Sequence, residues 1–519
     1  MKKKAKKIEL NGQFKKALDL MENTDHHIFV TGKAGTGKST LLSYFRETTE
    51  KKIVVLAPTG VAAVNIKGQT VHSFFGFKPN ITLSKVKKVS AMYNKIYKKI
   101  DAIVIDEISM VRADLLDCID KFLRLNGKKK NLPFGGVQMI FIGDLYQLPP
   151  IISRDEKEIF KEHYKSGYFF SSFVFKNFKM DFVELEKIYR QKDKKFISAL
   201  NNIRNNSVTS KDLSEINKRL DLDFEPEVDD FYVYLTTTND LSRKINEEHL
   251  KKVKGEEYYF KGEMKGRFDE KHFPTDIDLT IKEGAQVMLL NNDSRGRWIN
   301  GSIGKVIGTG EGDEEEDVVF VELEDGNVVE VGTYNWTIFK YVYNDKTNAL
   351  ETEESGSFIQ YPLKLAWSLT IHKSQGKTFD KAIIDVGRGT FAFGQMYVAL
   401  SRCVSLEGLV LKKPIEKRHI FIDWKVVEFV TKYQYDISEK NMPLEKKTEM
   451  IKKAIKNNQK LKIVYLKAND EKSKRIIEPK YIGDIEYAGK TFLGMKAICL
   501  TRGEGRVFKV DRILELKKV

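Results

Sequence analysis

Cysteine is scarce. The 519 residues contain three, Cys118, Cys403 and Cys499, each far from the others in sequence. That spacing excludes a disulfide framework and a clustered zinc motif. Long apolar runs are missing too. The longest, such as QMIFI at residues 138–142, are of strand length, well short of the ~18 residues a membrane-spanning helix needs. The opening MKKKAKKIELNGQF is basic but has no apolar stretch, so it reads as an exposed arm and not as a signal peptide. Internal repeats are absent, and so is low complexity beyond short lysine runs. Membrane, secreted and zinc-finger classes are therefore out, and a reducing, cytoplasmic setting is expected.

What is present is a globular composition with excess positive charge. Hydrophobic residues make up 41% and charged residues 31%, with 89 Lys+Arg against 73 Asp+Glu, a net of +16. At one domain per ~100–200 residues, the length predicts three or four domains. Excess positive charge attracts polyanions without naming one. Its distribution is uneven: residues 451–519 carry 18 Lys+Arg and 8 Asp+Glu, a net of +10. That one segment holds more than half of the excess.

Short apolar runs at residues 28–32, 53–58, 102–107 and 138–144 alternate with helical patterns. This predicts an α/β domain with a parallel sheet. Runs at 231–237, 363–371 and 382–387 predict a second one. Between them, over about 259–365, short strands and glycine turns indicate an inserted small β-barrel. Asp325-Gly326 there separates two alternating runs, which is a hairpin signal. The acidic run Glu311–Asp317 reads as a solvated loop. The polar stretch 433–443 reads as a linker into the basic segment.

The sharpest motif is GKAGTGKS at residues 32–39, a complete G-x-x-x-x-G-K-[ST] phosphate loop between a strand and a helical pattern. Its glycines let backbone N–H groups turn inward around phosphate oxygens, and the helix N-terminus adds a favourable dipole. Lys38 is placed to reach the β- and γ-phosphates, and Ser39 the Mg2+ ion. At residues 103–107, IVIDE ends an apolar strand in two carboxylates, suited to a metal-coordinating Asp106 beside a water-activating Glu107. Gln147 ends the next such run and can sense the γ-phosphate or orient water. Hydrolysis also calls for a cation at the transition state, which Arg190 or Arg402 can supply. Either arginine can equally be a surface ion-pair residue. These parts bind and hydrolyse ATP with Mg2+, without saying what the energy drives.

In order along the chain stand APTGVAA (57–63), GQTVHSFFG (68–76), IDEISMV (105–111), GGVQMIFIGDLYQLPP (135–150), YRQ (189–191), GAQVML (284–289), WINGSIGKV (298–306), AWSLTIHKSQGKTFD (366–380) and YVALSRC (397–403). With this series the chain resembles the Pif-type DNA helicases of superfamily 1B, near relatives of RecD, over roughly residues 8–435. The resemblance implies two RecA-like P-loop domains: 1–180, with a small wedge at about 74–97, and 181–435, with an inserted SH3-like barrel at about 259–365. It implies ATP-driven 5′→3′ translocation on single-stranded DNA and unwinding of 5′-tailed, forked or G-quadruplex DNA by a monomer with no membrane partner.

Carried over by motif, Lys38, Glu107, Gln147, Arg190 and Arg402 are catalytic. Gln13, Gly35, Thr36, Gly37, Lys38, Ser39 and Thr40 hold the nucleotide, and Ser39 and Asp106 the metal. Gln13 would read adenine, though its LNGQ spacing is one residue shorter than usual. Thr59, His72, Ser73, Phe75, His372 and Lys373 fall on DNA-contacting motifs. The alternatives are a DNA-binding ATPase switch that does not translocate, and a regulator whose motor is vestigial.

Residues 445–519 resemble a WYL domain, a β-barrel module that binds nucleic-acid ligands. The resemblance rests on Tyr465, the stretch Arg475–Pro479 and RGEGRVFKVDRI at 502–513. Thr491-Phe492-Leu493 stands where the family has Trp-Tyr-Leu. Tyr465, Arg502, Arg506, Phe508 and Arg512 are its candidate ligand residues. With Arg506 and Phe508 on one strand face, a phosphate contact would sit beside a stacking ring.

Overall fold

The computed structural model describes residues 10–78, 80–152, 156–266, 268, 273–313, 316–344, 346–347, 349–487, 489–500 and 503–519. Within them the chain divides into two compact units, one of residues up to 201 with 209–421, the other of 202–208 with 422–519.

The first unit begins with a parallel sheet. Its strands are β1 (His27–Gly32), β2 (Ile53–Ala57), β3 (Gln69–Thr70), β4 (Ala102–Ile105), β5 (Gln138–Ile142) and β6 (Met180–Leu185), in lateral order β3-β2-β4-β5-β1-β6. Every pairing is parallel. Strand side chains alternate between faces, so Ile28 and Val30 point to one layer and Phe29 to the other. The first layer is α1 (Gly12–Asn23) and α2 (Lys38–Thr48), whose Phe14, Ala17, Met21, Leu41, Leu42 and Phe45 pack on β1 and β5. Asn11 starts α1 by accepting from the N–H groups of Gln13 (3.0 Å) and Phe14 (2.9 Å). The opposite layer is aromatic: Phe29 meets Phe169 and Phe182 edge-on, and Phe141 packs on Phe134, Phe169, Phe175 and Phe178. Each such ring contributes about 1.5–3 kcal/mol of burial.

A second parallel sheet has Ser368–Thr370, Val233–Thr236, Ala382–Asp385 and Leu409–Leu411 in that order. The expected single run 363–371 is two strands, because residues 363–365 pair elsewhere. Leu363–Leu365 closes a five-stranded antiparallel sheet with Gln286–Leu289, Ile303–Glu311, Asp317–Leu323 and Val328–Val331, around Val287, Leu289, Val306, Val319, Val321 and Val331. The expected hairpin at Asp325-Gly326 is there, joining the last two strands. A long hairpin, Tyr334–Asn344 with Ala349–Gln360, extends beyond this sheet. The Tyr341 hydroxyl accepts from the β2 backbone N–H of Val55 at 3.0 Å, which ties the inserted β-region to the first sheet.

The second unit holds the helices Trp424–Asn441 and Leu444–Lys456 and a five-stranded antiparallel sheet. The stretch 433–443, expected as a linker, is mostly helix. Its inward face turns polar after Val430: Gln434 donates to Asp470 Oδ1 (2.8 Å), and the Ser438 hydroxyl bonds the Ile513 and Leu514 carbonyls (3.1 and 2.9 Å). Lys447, 1% exposed, donates to that same hydroxyl at 2.7 Å. A helix that buries hydrogen-bonding side chains hides its apolar periodicity. The expected strand 506–516 is likewise two, Glu504–Lys509 and Ile513–Lys518, split by a turn at 510–512. They lie at opposite ends of the strand order, so the chain must turn between them.

Candidate active site and nucleic-acid interface

In a parallel sheet the functional loops leave the carboxyl ends of the strands, and five of the six strands here do this together. The phosphate loop follows β1, Thr59 follows β2, Asp106 and Glu107 follow β4, Gln147 follows β5 and Arg190 follows β6. Gly35 and Gly37 take φ of 76° and 86°, a left-handed conformation glycine adopts without steric cost. A β-carbon on Gly35 would also lie 2.5 Å from Arg190 Cβ. The Lys38 ammonium spans the mouth of the loop, donating to the carbonyls of Gly32 (2.8 Å) and Lys33 (3.1 Å). Gln13 accepts from the Glu186 N–H at 2.9 Å, which fixes the start of α1 against the end of β6.

Asp106 is 8% exposed and accepts from the N–H of Glu107 at 2.9 Å. Burial raises its pKa, opposed by that N–H and by Lys38. Glu107 holds φ 49°, a left-handed conformation costly for a residue with a side chain and typical of functional sites. Desolvation and then the Asp106 charge push its pKa up to about 7, against Lys38 and Arg402. If Glu107 has the expected general-base role, for which it must be deprotonated, kcat/KM for ATP, which reports the free enzyme, will fall as pH drops through about 7. A rate profile flat from pH 8 to 5.5 would remove Glu107 from that role.

The second sheet supplies the rest of the site. Gln375 donates to Glu107 Oε2 (3.1 Å) and to Gln147 Oε1 (3.2 Å). Gln147 in turn donates to Asp144 Oδ2 at 3.3 Å. Tyr397, on the helix Gln395–Leu400, accepts the phosphate-loop N–H of Ala34 at 2.9 Å. Arg190 donates to the Ser401 carbonyl at 3.1 Å, and burial lowers its pKa. Arg402 is 1% exposed; its guanidinium reaches the carbonyls of Val398 (2.9 Å) and Lys377 (3.2 Å) and the Ser401 hydroxyl (2.9 Å). Burial and then Arg190 lower its pKa to about 9, so it stays cationic at neutral pH. Gly394, next to this helix, has no room for a side chain: a β-carbon there would sit 2.2 Å from the Tyr146 carbonyl.

The sequence motifs thus converge on one place. Gln375, Tyr397 and Asp144 lay inside matched segments, yet their roles show only once the two sheets face each other.

The DNA-motif residues divide. Thr59 caps helix α3 (Gly60–Asn65), accepting from the Ala62 N–H at 3.3 Å. In helix α4 (Val71–Phe75), Ser73 is exposed and His72 half-buried. Lys373 is exposed, and the His372 ring stacks on Phe391 at 6.1 Å and 16°. Phe391 is 63% exposed, an aromatic surface that sequence reasoning missed. Phe75 is a correction. It is 3% exposed and packs on Phe77, Tyr97 and Phe122, so its ring is core and does not face DNA. Phe75→Ala is expected to cost about 3–5 kcal/mol of stability by cavity formation, read as a lowered unfolding midpoint.

In the C-terminal unit Phe508 is likewise a correction. It is 3% exposed, inside the cluster with Ile451, Ile463 and Met495, and it meets Tyr465 edge-on at 5.2 Å. A ring held there cannot stack on a base. Arg506 pairs with Glu504 (Nε to Oε1, 3.1 Å), and Arg512 is half-buried. Arg502 lies outside the described residues.

Comparison with known proteins agrees with this geometry. Residues 9–214 match the PIF1-like helicase family and residues 446–518 the WYL domain. The ATP-dependent DNA helicase Pif1 of Bdellovibrio bacteriovorus is 31% identical over 440 residues, covering 82% of this chain and 93% of that protein. The chain belongs to the Pif1-like helicase family. Among solved structures, Pif1 from Bacteroides in complex with ADP-AlF4 is 39% identical, with a TM-score of 0.75 over 83% of this chain and 98% of that one. Bacteroides Pif1 bound to single-stranded DNA has the same identity and coverage and a TM-score of 0.60. Among its described residues, no helix is long and apolar enough to cross a membrane.

Proposed function

We propose that this chain is an ATP-driven DNA helicase that moves 5′→3′ along single-stranded DNA and separates duplex or folded DNA ahead of it. The observation that carries the reading is the bridge from Gln375 to Glu107 and Gln147, which joins the second sheet to the hydrolytic edge of the first. With Ala34 bonded to Tyr397 and Arg190 to Ser401, nucleotide state and the spacing of the two sheets become one variable.

ATP fits the phosphate loop, with Lys38 on the β- and γ-phosphates and Gly35, Thr36, Gly37 and Thr40 around them. Gln13 reads the adenine. The buried Asp106, with Lys38 opposing its neutralisation, suits a Mg2+ ion shared with Ser39. That ion, when bound, neutralises phosphate charge. Glu107 takes the proton of the attacking water, Gln147 orients that water, and Arg190 and Arg402 stabilise the developing charge.

Thr59, His72, Ser73, His372 and Lys373 then carry the DNA strand, with the 74–97 segment as wedge and the 259–365 region as an SH3-like barrel. Substrates are 5′-tailed, forked or G-quadruplex DNA, the working form a monomer and the setting cytoplasmic. Of the relatives, Bacteroides Pif1 bound to ssDNA supports the strand assignment.

The WYL unit adds affinity for single-stranded nucleic acid through its basic surface, not through Phe508. Arg506→Ala with Arg512→Ala is expected to weaken DNA binding, with a smaller difference at higher salt because phosphate contacts release counterions. Phe508→Ala is expected instead to destabilise the unit. DNA affinity unchanged by the arginine pair at low and moderate salt would leave this unit a protein-docking or structural module. The motor reading is tested by steady-state ATPase with and without single-stranded DNA, where strong stimulation is expected. Hydrolysis indifferent to DNA would contradict it.

A further inference from the structure

Three elements that carry different parts of the mechanism meet at one side chain. Asn300 lies in the inserted β-region. Its Nδ2 donates to Asn65 Oδ1 and to the Leu290 carbonyl, both at 3.0 Å. Its Oδ1 accepts from the Lys377 ammonium at 2.7 Å, and its backbone N–H bonds Asn292 Oδ1 at 2.8 Å. Both amide hydrogens and the carbonyl are thus used, and each use reaches a different segment of chain. Gly301, at φ 103°, supplies the left-handed turn that follows Asn300, beside the Lys377 side chain.

What lies at the two ends gives the arrangement its meaning. Asn65 is the last residue of helix α3, whose first turn is capped by Thr59. That helix is about 9 Å long at 1.5 Å per residue, and Val64 packs on the aromatic cluster of Phe268, Trp336 and Phe358 in the inserted region. Lys377 ends the loop that holds the ATP site together: Gln375 touches Glu107 and Gln147, and the carbonyls of Ser374 and Lys377 accept from Arg402. Lys377 itself makes no ion pair among the described residues, and burial together with Lys364 lowers its pKa to about 8. A recessed ammonium whose partner is one amide oxygen is held by position and not by charge pairing.

We propose that Asn300 is a positioning residue that couples DNA occupancy to ATP turnover. A strand seated at Thr59 displaces or steadies α3, and Asn65–Asn300–Lys377 passes that displacement to the loop that orients Gln375 and Arg402. The Asn65 end is exposed, so the bond adds little to stability and its loss leaves the fold intact.

This rests on the helicase reading, and the test keeps the two apart. ATPase is measured on the full chain without DNA and at saturating oligo-dT, alongside oligo-dT affinity and the unfolding midpoint. In Asn300→Ala, basal ATPase and DNA affinity are expected to stay at wild-type levels. DNA stimulation of kcat is expected to fall at least about fivefold, the lower end of ordinary site–site coupling. Asn65→Leu is expected to do the same, whereas Asn65→Asp, which still accepts from Asn300, keeps the stimulation. Combining Asn65→Leu with Asn300→Ala adds no further loss, because both cut one chain of contacts.

Full stimulation in Asn300→Ala overturns the proposal. So does a proportional fall of basal and stimulated rates, or additive losses in the double variant. If Asn300→Ala does not fold, equal stimulation in Asn65→Leu and Asn65→Asp overturns it instead. A wild-type chain that oligo-dT does not stimulate overturns the helicase reading and this proposal together.

Discussion

Lys38→Ala is expected to abolish ATP hydrolysis and duplex separation together while leaving the unfolding midpoint near wild type. The Lys38 ammonium rests on the carbonyls of Gly32 and Lys33 and fills no apolar core site, so the fold does not depend on it. In its proposed role it supplies a positive charge at the phosphates, where electrostatic stabilisation is usually the largest single contribution to catalysis. Losing one such donor typically lowers turnover by about 10²–10³, and losing the ammonium that spans the mouth of the loop also weakens nucleotide binding. Steady-state ATPase, nucleotide affinity and thermal unfolding of the same preparation check this. A folded Lys38→Ala protein with full DNA-stimulated hydrolysis would remove the phosphate loop from the site.

Arg402→Ala carries the second large effect. Arginines that meet developing phosphoryl charge change turnover by about 10³–10⁵, so kcat is expected to collapse while nucleotide affinity changes little. The structure adds a second consequence. Arg402 is buried and donates to the carbonyls of Val398 and Lys377 and to the Ser401 hydroxyl, so truncation removes those hydrogen bonds and opens a buried space. A modest loss of stability should therefore accompany the loss of rate. Arg402→Lys separates the two: it keeps the charge but not the planar fork, and it is expected to recover stability more than turnover. Weakened ATP binding at unchanged kcat would make Arg402 a ground-state phosphate clamp instead.

The sequence disclosed those parts of the site that chemistry forces into a short stretch. A phosphate loop needs its glycines, lysine and serine within eight residues, and a strand ending in Asp106-Glu107 needs only its own apolar run. Contacts that depend on two sheets facing each other were out of reach. Gln375 meets Glu107 across 268 residues, and Tyr397 meets Ala34 across 363. Aromatic residues were ambiguous for a different reason. Phe75 and Phe508 could equally fill a core or stack on a base, and only burial decides; both proved to be core, while Phe391, which no motif pointed to, is on the surface. The helix over 424–441 was misread as partly linker because Gln434 and Ser438 replace apolar residues on its buried face.

Direction of travel is the most direct measurement of the central claim. Duplexes bearing only a 5′ single-stranded tail or only a 3′ tail, incubated with the full chain, ATP and Mg2+, separate the possibilities in one experiment. ATP-dependent displacement is expected from the 5′-tailed duplex, with little from the 3′-tailed one and none in Lys38→Ala. Displacement from the 3′-tailed duplex alone, or none from either despite DNA-stimulated hydrolysis, would contradict the assignment of this chain as a 5′→3′ helicase.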